Sequence, residues 1–169
     1  ALSSKLALDI WRNGKAYHQE YAKGDPTMDL KEMGPAPRID GSQEGSMDRR
    51  GTSIRFWPDA SIFKDTVEFE YTILEKRLRE LAYLNPGLFI ELHDERDETH
   101  TVFHFEGGLV SYVRHLNEAR TPLHAEPIHI RGETPFKDEE GVLMVDIAMQ
   151  WTTAYQEHIH TFVNNINTH

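Results

Sequence analysis

The chain has 169 residues, of which 38% are hydrophobic, and its 18 basic and 28 acidic side chains give a formal net charge of −10. This length allows one good core or two small ones, and the negative charge opposes non-specific binding to nucleic acid or to an anionic membrane. The absence of cysteine excludes disulfides and thiolate chemistry and fits a cytoplasmic protein, and no apolar run reaches the roughly 18 residues of a membrane helix.

The first predicted element is a β-hairpin over residues 5–23. Apolar residues alternate from Leu6 to Ile10, and Asn13-Gly14 separates them from a second β-prone run. Asn-Gly between two such runs is the strongest short-range hairpin signal, because both turn residues need a positive φ.

Residues 24–50 are predicted as a long, mobile surface loop, since they are rich in Gly, Pro, Asp, Ser and Met and have no period. A strand follows with the sequence GTSIRFWPD, residues 51–59, in which Ile54 and Phe56 alternate with polar residues. Pro58 ends this strand because proline supplies no donor to a β-ladder.

The Gly51-Thr52 pair at the start of this strand has two interpretations. Glycine permits close approach of backbone or ligand, and the threonine hydroxyl beside it can donate or accept a hydrogen bond. The pair therefore indicates either a ligand pocket or only a tight start to a strand.

The second half of the chain is predicted to mix helices and strands. Residues 67–84 have apolar side chains near helical spacing, and Asn85-Pro86-Gly87 ends the run. Further predicted elements are strands at 88–92 and 101–105, a short helix at 109–118, and strands at about 127–131, 142–150 and 157–163. Consecutive strands mostly lack an intervening helix, so we predict an α+β architecture rather than a doubly wound sheet, with a seam near Asp65.

Ten histidines raise the possibility of a metal site. His158 and His160 are two apart in a predicted strand and face one side, where His129 from a neighbouring strand could join them. The alternative, that these are solvated polar positions, is favoured because no zinc-helix spacing and no cysteine occur.

Two other polar motifs have ordinary explanations. The acidic run DERDETH, residues 94–100, and the pair Glu139-Glu140 could be general acids or bases, but solvated turns are the favoured interpretation. FEGG, residues 105–108, could cradle a phosphate, but a phosphate loop needs more glycines, a lysine and a hydroxyl residue, which favours a strand-to-helix turn. Trp151 and Tyr155 are interpreted as core and loop anchors.

Six blocks become specific when they are taken together: ALSSKLALDIWRNGKAYHQEYAKG, GTSIRFWPD, RLRELAYLNPGL, FEGGL, LN…TPLH and AMQWTTAYQEHIHTFVNNINT. They follow one another in the order and approximate spacing of the ATPase-bearing B subunits of bacterial type II topoisomerases. The chain resembles this family, that of gyrase and topoisomerase IV, over essentially all of its residues. Residues 27–50 depart from the family, because that segment is longer than expected.

The resemblance implies two domains. Residues 1–65 would be the C-terminal part of a GHKL-type ATPase domain, with 24–50 as a flexible loop, and residues 66–169 an incomplete transducer domain with a ribosomal-protein-S5-like fold. Since the chain begins with Ala and ends directly after a strand-like run, we expect a fragment of a longer polypeptide.

The resemblance also assigns the Gly51-Thr52 strand to the adenine end of a nucleotide pocket. The Thr52 hydroxyl is expected to reach the adenine amino group and its ordered water, and Ile54 to supply apolar wall. Arg12 matches the arginine at the pocket mouth that meets aminocoumarin inhibitors.

No catalytic residue and no metal ligand is expected in this chain. In the family, the general-base Glu, the magnesium-binding Asn and the Gly-rich lid precede the position of Ala1, and the lysine that reaches the γ-phosphate follows that of His169. ATP and Mg²⁺ are therefore expected as cofactors of the parent protein, and this fragment alone should neither bind them tightly nor hydrolyse ATP.

The partners implied by the resemblance are a gyrase A-type protein, a second copy of the ATPase-bearing protein when ATP binds, and DNA. ATP binding and hydrolysis in the parent enzyme would close an N-terminal gate and drive DNA strand passage with negative supercoiling. The ATPase-bearing protein of topoisomerase IV, which relaxes and decatenates DNA, or a non-catalytic GHKL-like interaction module, are the alternatives that the residues leave open.

Overall fold

The computed structural model describes residues 2–39, 47–135 and 140–168, and the chain separates into two compact units, Ala1–Phe69 and Glu70–His169. Every strand pair in the described residues is antiparallel. This pairing, with both helices in one unit, confirms the predicted α+β class. Neither described helix has the length and apolar character needed to cross a bilayer.

The first unit is built on a five-stranded sheet in which β1 (Ser3–Arg12) lies between β2 (Lys15–Ala22) and β7 (Gly51–Pro58). Asn13 and Gly14 join β1 to β2 with φ values of 53° and 73°, so the predicted hairpin is confirmed. After Pro58, the backbone N–H groups of Ile62 and Phe63 both donate to the carbonyl of Asp59 and form a tight turn.

The stretch predicted as a mobile loop contains short strands instead, within its described parts 24–39 and 47–50. The strands β3 (Asp25–Pro26) and β4 (Lys31–Pro35) pair with the outer edge of β2. The strands β5 (Arg38–Ile39) and β6 (Met47–Asp48) pair with each other. The open N–H and C=O groups along β2 explain the pairing of the first two. Strands of two to five residues are too short to give the sequence a visible period, and residues 40–46 lie outside the described ranges.

The second unit begins with helix α1 (Tyr71–Leu84), four residues later than predicted. The side chain of Thr66 accepts a hydrogen bond from the N–H of Glu68 at 3.0 Å, and such a turn competes with helix formation. At the other end Asn85 ends the helix, since its backbone and side-chain nitrogens both donate to the carbonyl of Leu81.

Helix α1 covers one side of a hairpin made of β8 (Phe89–Asp94) and β9 (Thr99–His104), and α2 (Gly108–Leu116) packs against α1 and against the later strand Val142–Met149. Side chains from both helices and from β9 form the core of this unit: Ala82, Tyr83, Phe103 and Tyr112. Tyr83 stacks on Phe105 with a centroid separation of 3.8 Å. The predicted helices and strand pair of this region are thereby confirmed.

The rest of the unit differs from the sequence-based expectation at one strand. The predicted strands near 127–131 and 142–150 form the hairpin β10 (Ile128–Pro135) and β11 (Val142–Met149). The predicted strand 157–163 is wrong over most of its length, because only β12 (Phe162–Val163) pairs, with β13 (Ile166–Asn167) across an Asn-Asn turn. Trp151 and Tyr155 are not core residues, since both are exposed.

Candidate functional site

The two faces of the sheet in the first unit differ in chemistry. Across β1 and β7, Ile10 lies opposite Thr52, Leu8 opposite Ile54 and Leu6 opposite Phe56, and residues directly opposite in a sheet share a face. We call this side the apolar face: Leu6, Leu8, Ile10 and Arg12 of β1, Tyr17, Gln19 and Tyr21 of β2, and Thr52, Ile54 and Phe56 of β7.

The opposite side, the charged face, is occupied by ion pairs. Lys5 contacts Glu20 at 2.9 Å and Asp9 contacts His18 at 2.7 Å, and the Lys5 ammonium also lies over the ring of Trp57. These part-buried ion pairs make this side of the sheet polar, so a ligand with apolar character would bind on the other side of the sheet.

The apolar face contains a depression of about 330 Å³. It is lined by side chains from all three central strands and by the segment that follows β2: Ser3, Leu6, Leu8, Tyr21, Gly24 and Ile54. The Tyr21 hydroxyl donates to the side-chain oxygen of Gln19 at 2.9 Å. Ile54 is 61% exposed, so this wall is open to an occupant.

Gly51 and Thr52 lie where β7 begins, beside the end of β1. Gly51 has a φ of +127°, and a Cβ added there would meet nothing within 4 Å. The glycine is therefore required by backbone conformation and not by lack of space. Within the described part of the chain the Thr52 hydroxyl has no hydrogen-bond partner, and it faces the same side as Ile54.

Arg12 lies at the rim of the apolar face, directly across from Lys15. Glu32 of β4 neutralises Lys15 at 2.9 Å, and this hydrogen bond and the charge of Glu32 raise the pKa of Lys15. In the described residues Arg12 has no ion-pair partner, so its guanidinium is the uncompensated charge at this rim and can meet a ligand acceptor.

The structure therefore brings Thr52, Ile54 and Arg12 to one face, and of these three only Ile54 lines the depression. Gly51 shapes the strand that carries Thr52 and Ile54. Such a surface can hold a flat apolar ring and hydrogen-bond its polar edge. Among the described residues of β1, β2, β4 and β7, the carboxylate nearest this rim is Glu32, which is already paired with Lys15. The arrangement of these side chains is thus suited to binding a ligand.

The histidines of the metal hypothesis do not come together. His158 and His160 lie outside the described strands, whereas His129 contacts Asp146 at 2.6 Å. Burial would raise the pKa of Asp146, but hydrogen bonds from Arg131 and His129 outweigh it and lower the pKa.

The acidic run and the double glycine have structural roles. Asp94 accepts the backbone N–H of Arg96, and Asp97 accepts that of Thr99, so these carboxylates build the turn between β8 and β9. Gly108 has a φ of +55°, a backbone conformation that favours glycine, which explains this residue at the strand-to-helix turn. Glu139 lies outside the described residues.

One group of side chains was missed by the sequence reasoning. Glu91, His93 and His100 could together hold a metal ion. The signal was available, because Glu91 and His93 have the two-residue spacing of one strand face. The cross-strand register that places His100 beside them could not be inferred from the sequence.

Comparisons with known proteins found one family model that matches part of the chain and relatives that align with nearly all of it. A sequence model of the DNA gyrase B family matches residues 108–169. The DNA gyrase B protein of Halalkalibacterium halodurans is 44% identical over 170 aligned residues, which cover 100% of this chain and 24% of that protein. The chain thus spans about a quarter of the length of this curated relative.

Two solved structures have the same fold. One is the 43K ATPase domain of Thermus thermophilus gyrase B in complex with an aminocoumarin, which aligns with a TM-score of 0.77 and 30% sequence identity. The alignment covers 98% of this chain and 41% of the Thermus thermophilus chain. The B-subunit of the DNA gyrase from Myxococcus xanthus aligns with a TM-score of 0.80 and 30% identity over 99% of this chain and 44% of that one. The predicted resemblance and fold class are confirmed by these similarities.

Proposed function

We propose that the apolar face of this chain forms the adenine end of the ATP site of a bacterial type II DNA topoisomerase. This proposal is supported by the similarity of the chain, along nearly its whole length, to part of the DNA gyrase B protein. In the parent enzyme, ATP binding brings two gyrase B chains together, and hydrolysis drives DNA strand passage with negative supercoiling. Gyrase A-type proteins and DNA are the partners, and the enzyme works in the cytoplasm, where the bacterial chromosome lies.

The observation that carries this proposal is the shared face of Thr52, Ile54 and Arg12. Ile10 and Thr52 are directly opposite, as are Leu8 and Ile54, so a hydroxyl adjoins an apolar wall on neighbouring strands. An adenine ring has an apolar face and a polar edge, which matches this arrangement.

Thr52 provides selectivity through its hydroxyl. The group has room for a ligand or an ordered water, since it has no partner within the described residues. A polar group left unpaired in a closed pocket costs about 1–3 kcal/mol, and a bridging water can satisfy two groups at once. Adenine would be favoured over rings that cannot complete these bonds.

Arg12 is proposed to bind aminocoumarin inhibitors at the mouth of the pocket. The ATPase domain of Thermus thermophilus gyrase B was solved in complex with an aminocoumarin, which supports this role. A guanidinium presents several donors in a fixed plane, and Arg12 has them unoccupied by ion pairs in the described residues.

We assign no Mg²⁺ ligand and no catalytic residue to the described residues of the apolar face. Phosphoryl transfer needs a positioned water, a magnesium ion and a clamp for developing charge. Thr52, Ile54 and Arg12 bind and orient the ring and supply none of these, so the 169-residue chain alone is expected to be inactive.

The domain assignment remains part of the proposal: residues 1–65 in the ATPase domain and 66–169 in the transducer. Division of the chain between Phe69 and Glu70 supports a boundary close to the predicted seam. Nucleotide-dependent coupling requires an element with two states, and α1 with the segment before it is our candidate. Because the relatives are gyrase proteins, gyrase is favoured over topoisomerase IV.

The test is calorimetric titration of the parent polypeptide with Mg²⁺ and a non-hydrolysable ATP analogue. Thr52→Val keeps the side-chain volume but removes the hydroxyl, and it should weaken binding of the analogue by roughly 5- to 100-fold. Ser53→Ala is the matched control, because Ser53 lies opposite Asp9 on the charged face. Loss of the Ser53 hydroxyl should leave the affinity for the analogue unchanged. Equal effects of the two substitutions would contradict the proposal.

A second titration uses an aminocoumarin. Arg12→Gln should weaken inhibitor binding more than nucleotide binding, whereas Arg55→Gln on the charged face should change neither. If Arg12→Gln leaves inhibitor affinity intact, Arg12 has no part in the pocket mouth.

A further inference from the structure

The outer side of the β8–β9 hairpin presents a second group of side chains with binding chemistry. Along β8, Ile90, Leu92 and Asp94 are part-buried, while Glu91 and His93 are exposed. Glu91 and His93 therefore share the side of the hairpin that faces away from α1.

The register adds a third ligand from the other strand. His93 lies directly opposite His100, and Glu91 lies opposite Val102, which makes Glu91 the diagonal neighbour of His100. The Nε2 atom of His100 is 3.8 Å from a carboxylate oxygen of Glu91. One donor atom from each of the three side chains lies within 4.8 Å of the other two.

We propose that Glu91, His93 and His100 form a binding site for Zn²⁺ or a similar divalent transition-metal ion. Two imidazole nitrogens and one carboxylate oxygen are a donor set that suits Zn²⁺, Ni²⁺ or Cu²⁺, whereas Mg²⁺ and Ca²⁺ prefer oxygen ligands alone. Three protein ligands leave one tetrahedral position for water, as in open zinc sites.

Binding requires a small rearrangement of the two rings. His93 and His100 are stacked with centroids 3.9 Å apart and planes 11° from parallel. A metal ion must lie near the plane of each ligating ring, so the rings must tilt apart until their nitrogens converge. The side chains of His100 and Glu91 are 42% and 49% exposed, which leaves room for this rotation without disturbing the core.

The consequence of binding is a clamp across the hairpin. The ligands come from both strands, so the ion holds β8 to β9 and binds only when the pairing is formed. Ligands that bind only the folded state raise its stability by mass action. The site lies in the unit Glu70–His169 and the apolar face in the other unit, so failure of either proposal leaves the other intact.

The test is calorimetric titration of the 169-residue chain with Zn²⁺, together with thermal unfolding in the presence and absence of the ion. We expect one equivalent to bind and to raise the unfolding temperature. His93→Gln and His100→Gln should each weaken this binding by about tenfold or more, since loss of an outer-shell partner alone already costs that much. Glu91→Gln should weaken it less, because the amide oxygen can still coordinate.

His104→Gln is the matched control, because His104 is exposed on the same strand and the same side, two positions beyond Val102. It should leave Zn²⁺ binding unchanged. The visible spectrum of bound Co²⁺ should indicate tetrahedral coordination and be lost in the His93 and His100 variants. Absence of a stoichiometric event, or equal weakening by His104→Gln, would show dispersed surface binding and overturn the proposal.

Discussion

The sheet of the first unit and the β8–β9 hairpin of the second have similar strand patterns but different surroundings. Apolar residues alternate on one strand of each, Ile90 and Leu92 on β8 and Ile54 and Phe56 on β7. Phe103, directly opposite Ile90, is 1% exposed beneath α1, whereas Ile54 is 61% exposed.

Alternation therefore identifies which face of a strand is apolar but not what covers that face. The β8–β9 hairpin is covered by α1, which directly precedes it in the sequence. On the apolar face Phe56 contacts Phe69 at a centroid separation of 5.9 Å, while Ile54 and Phe56 remain 61% and 48% exposed. Contiguous exposed apolar surface marks a binding or interaction site, which agrees with the proposed adenine site.

The largest effect is predicted for the covered hairpin. Phe103→Ala removes the one large side chain that is fully buried in the described residues, and it should lower the free energy of unfolding by about 3–5 kcal/mol. Urea denaturation followed by circular dichroism measures this loss. Phe103→Leu should cost less, because it leaves a smaller cavity.

Phe89→Ala is the matched control on the same hairpin, since Phe89 is 57% exposed. Its cost should be below about 1 kcal/mol. If the two phenylalanines cost the same, α1 does not form with this hairpin the core that distinguishes it from the open sheet.

The next prediction concerns the backbone of the open sheet. Gly51→Ala forces a φ of +127° on a residue with a Cβ and should destabilise the chain by about 1–2 kcal/mol. Gly132→Ala is the control, because Gly132 lies in β10 with open space around it and no positive φ, and it should be neutral or slightly stabilising. Thermal unfolding of both variants makes the comparison, and an unchanged midpoint for Gly51→Ala would contradict it.

Local chemistry made much of the fold predictable from the sequence. Asn13-Gly14 predicted the first hairpin because few residues adopt positive φ, and Asn85-Pro86-Gly87 predicted the end of α1. The pairing of Thr52 with Ile10 was beyond sequence reasoning, since register across non-adjacent strands depends on tertiary structure. The grouping of the site residues was therefore an implication of the family resemblance.

The errors have a common physical cause. The short strands β3 and β4 form because β2 offers an unpaired edge, which no local pattern reveals. Residues 157–160 have strand-like composition, yet no described strand pairs with them. Strand formation depends on a partner as much as on propensity, so these segments could not be predicted from their own residues.

A smaller effect is predicted for the open face itself. Ile54→Ala should change the unfolding free energy of the 169-residue chain by less than about 1 kcal/mol, because the side chain is already exposed. In the parent polypeptide the same substitution should weaken nucleotide binding, since it removes apolar wall. Denaturation of the chain and calorimetry of the parent measure the two effects. A loss of stability close to that of Phe103→Ala would mean that the face is covered within this chain.

The smallest effect concerns the turn that joins β8 to β9 and tests whether the covered hairpin also depends on local polar contacts. The Arg96 side chain donates to both oxygens of Asp94, at 2.9 and 2.6 Å. This hydrogen bonding, with that from the Arg96 backbone N–H, lowers the pKa of Asp94 from 3.8 to about 2. A lowered pKa means that the charged carboxylate favours the folded state. The contribution of this contact to stability is therefore complete above pH 3.8 and is lost as the pH falls towards 2.

Arg96→Gln should move the pKa of Asp94 part of the way back, because the backbone N–H remains, and a carbon-13 NMR titration of the carboxyl group measures the shift. Arg55→Gln, which removes a cation from the other unit, should leave that titration unchanged. If Arg96→Gln also leaves it unchanged, the turn is held by its backbone geometry alone and the side-chain contact contributes nothing.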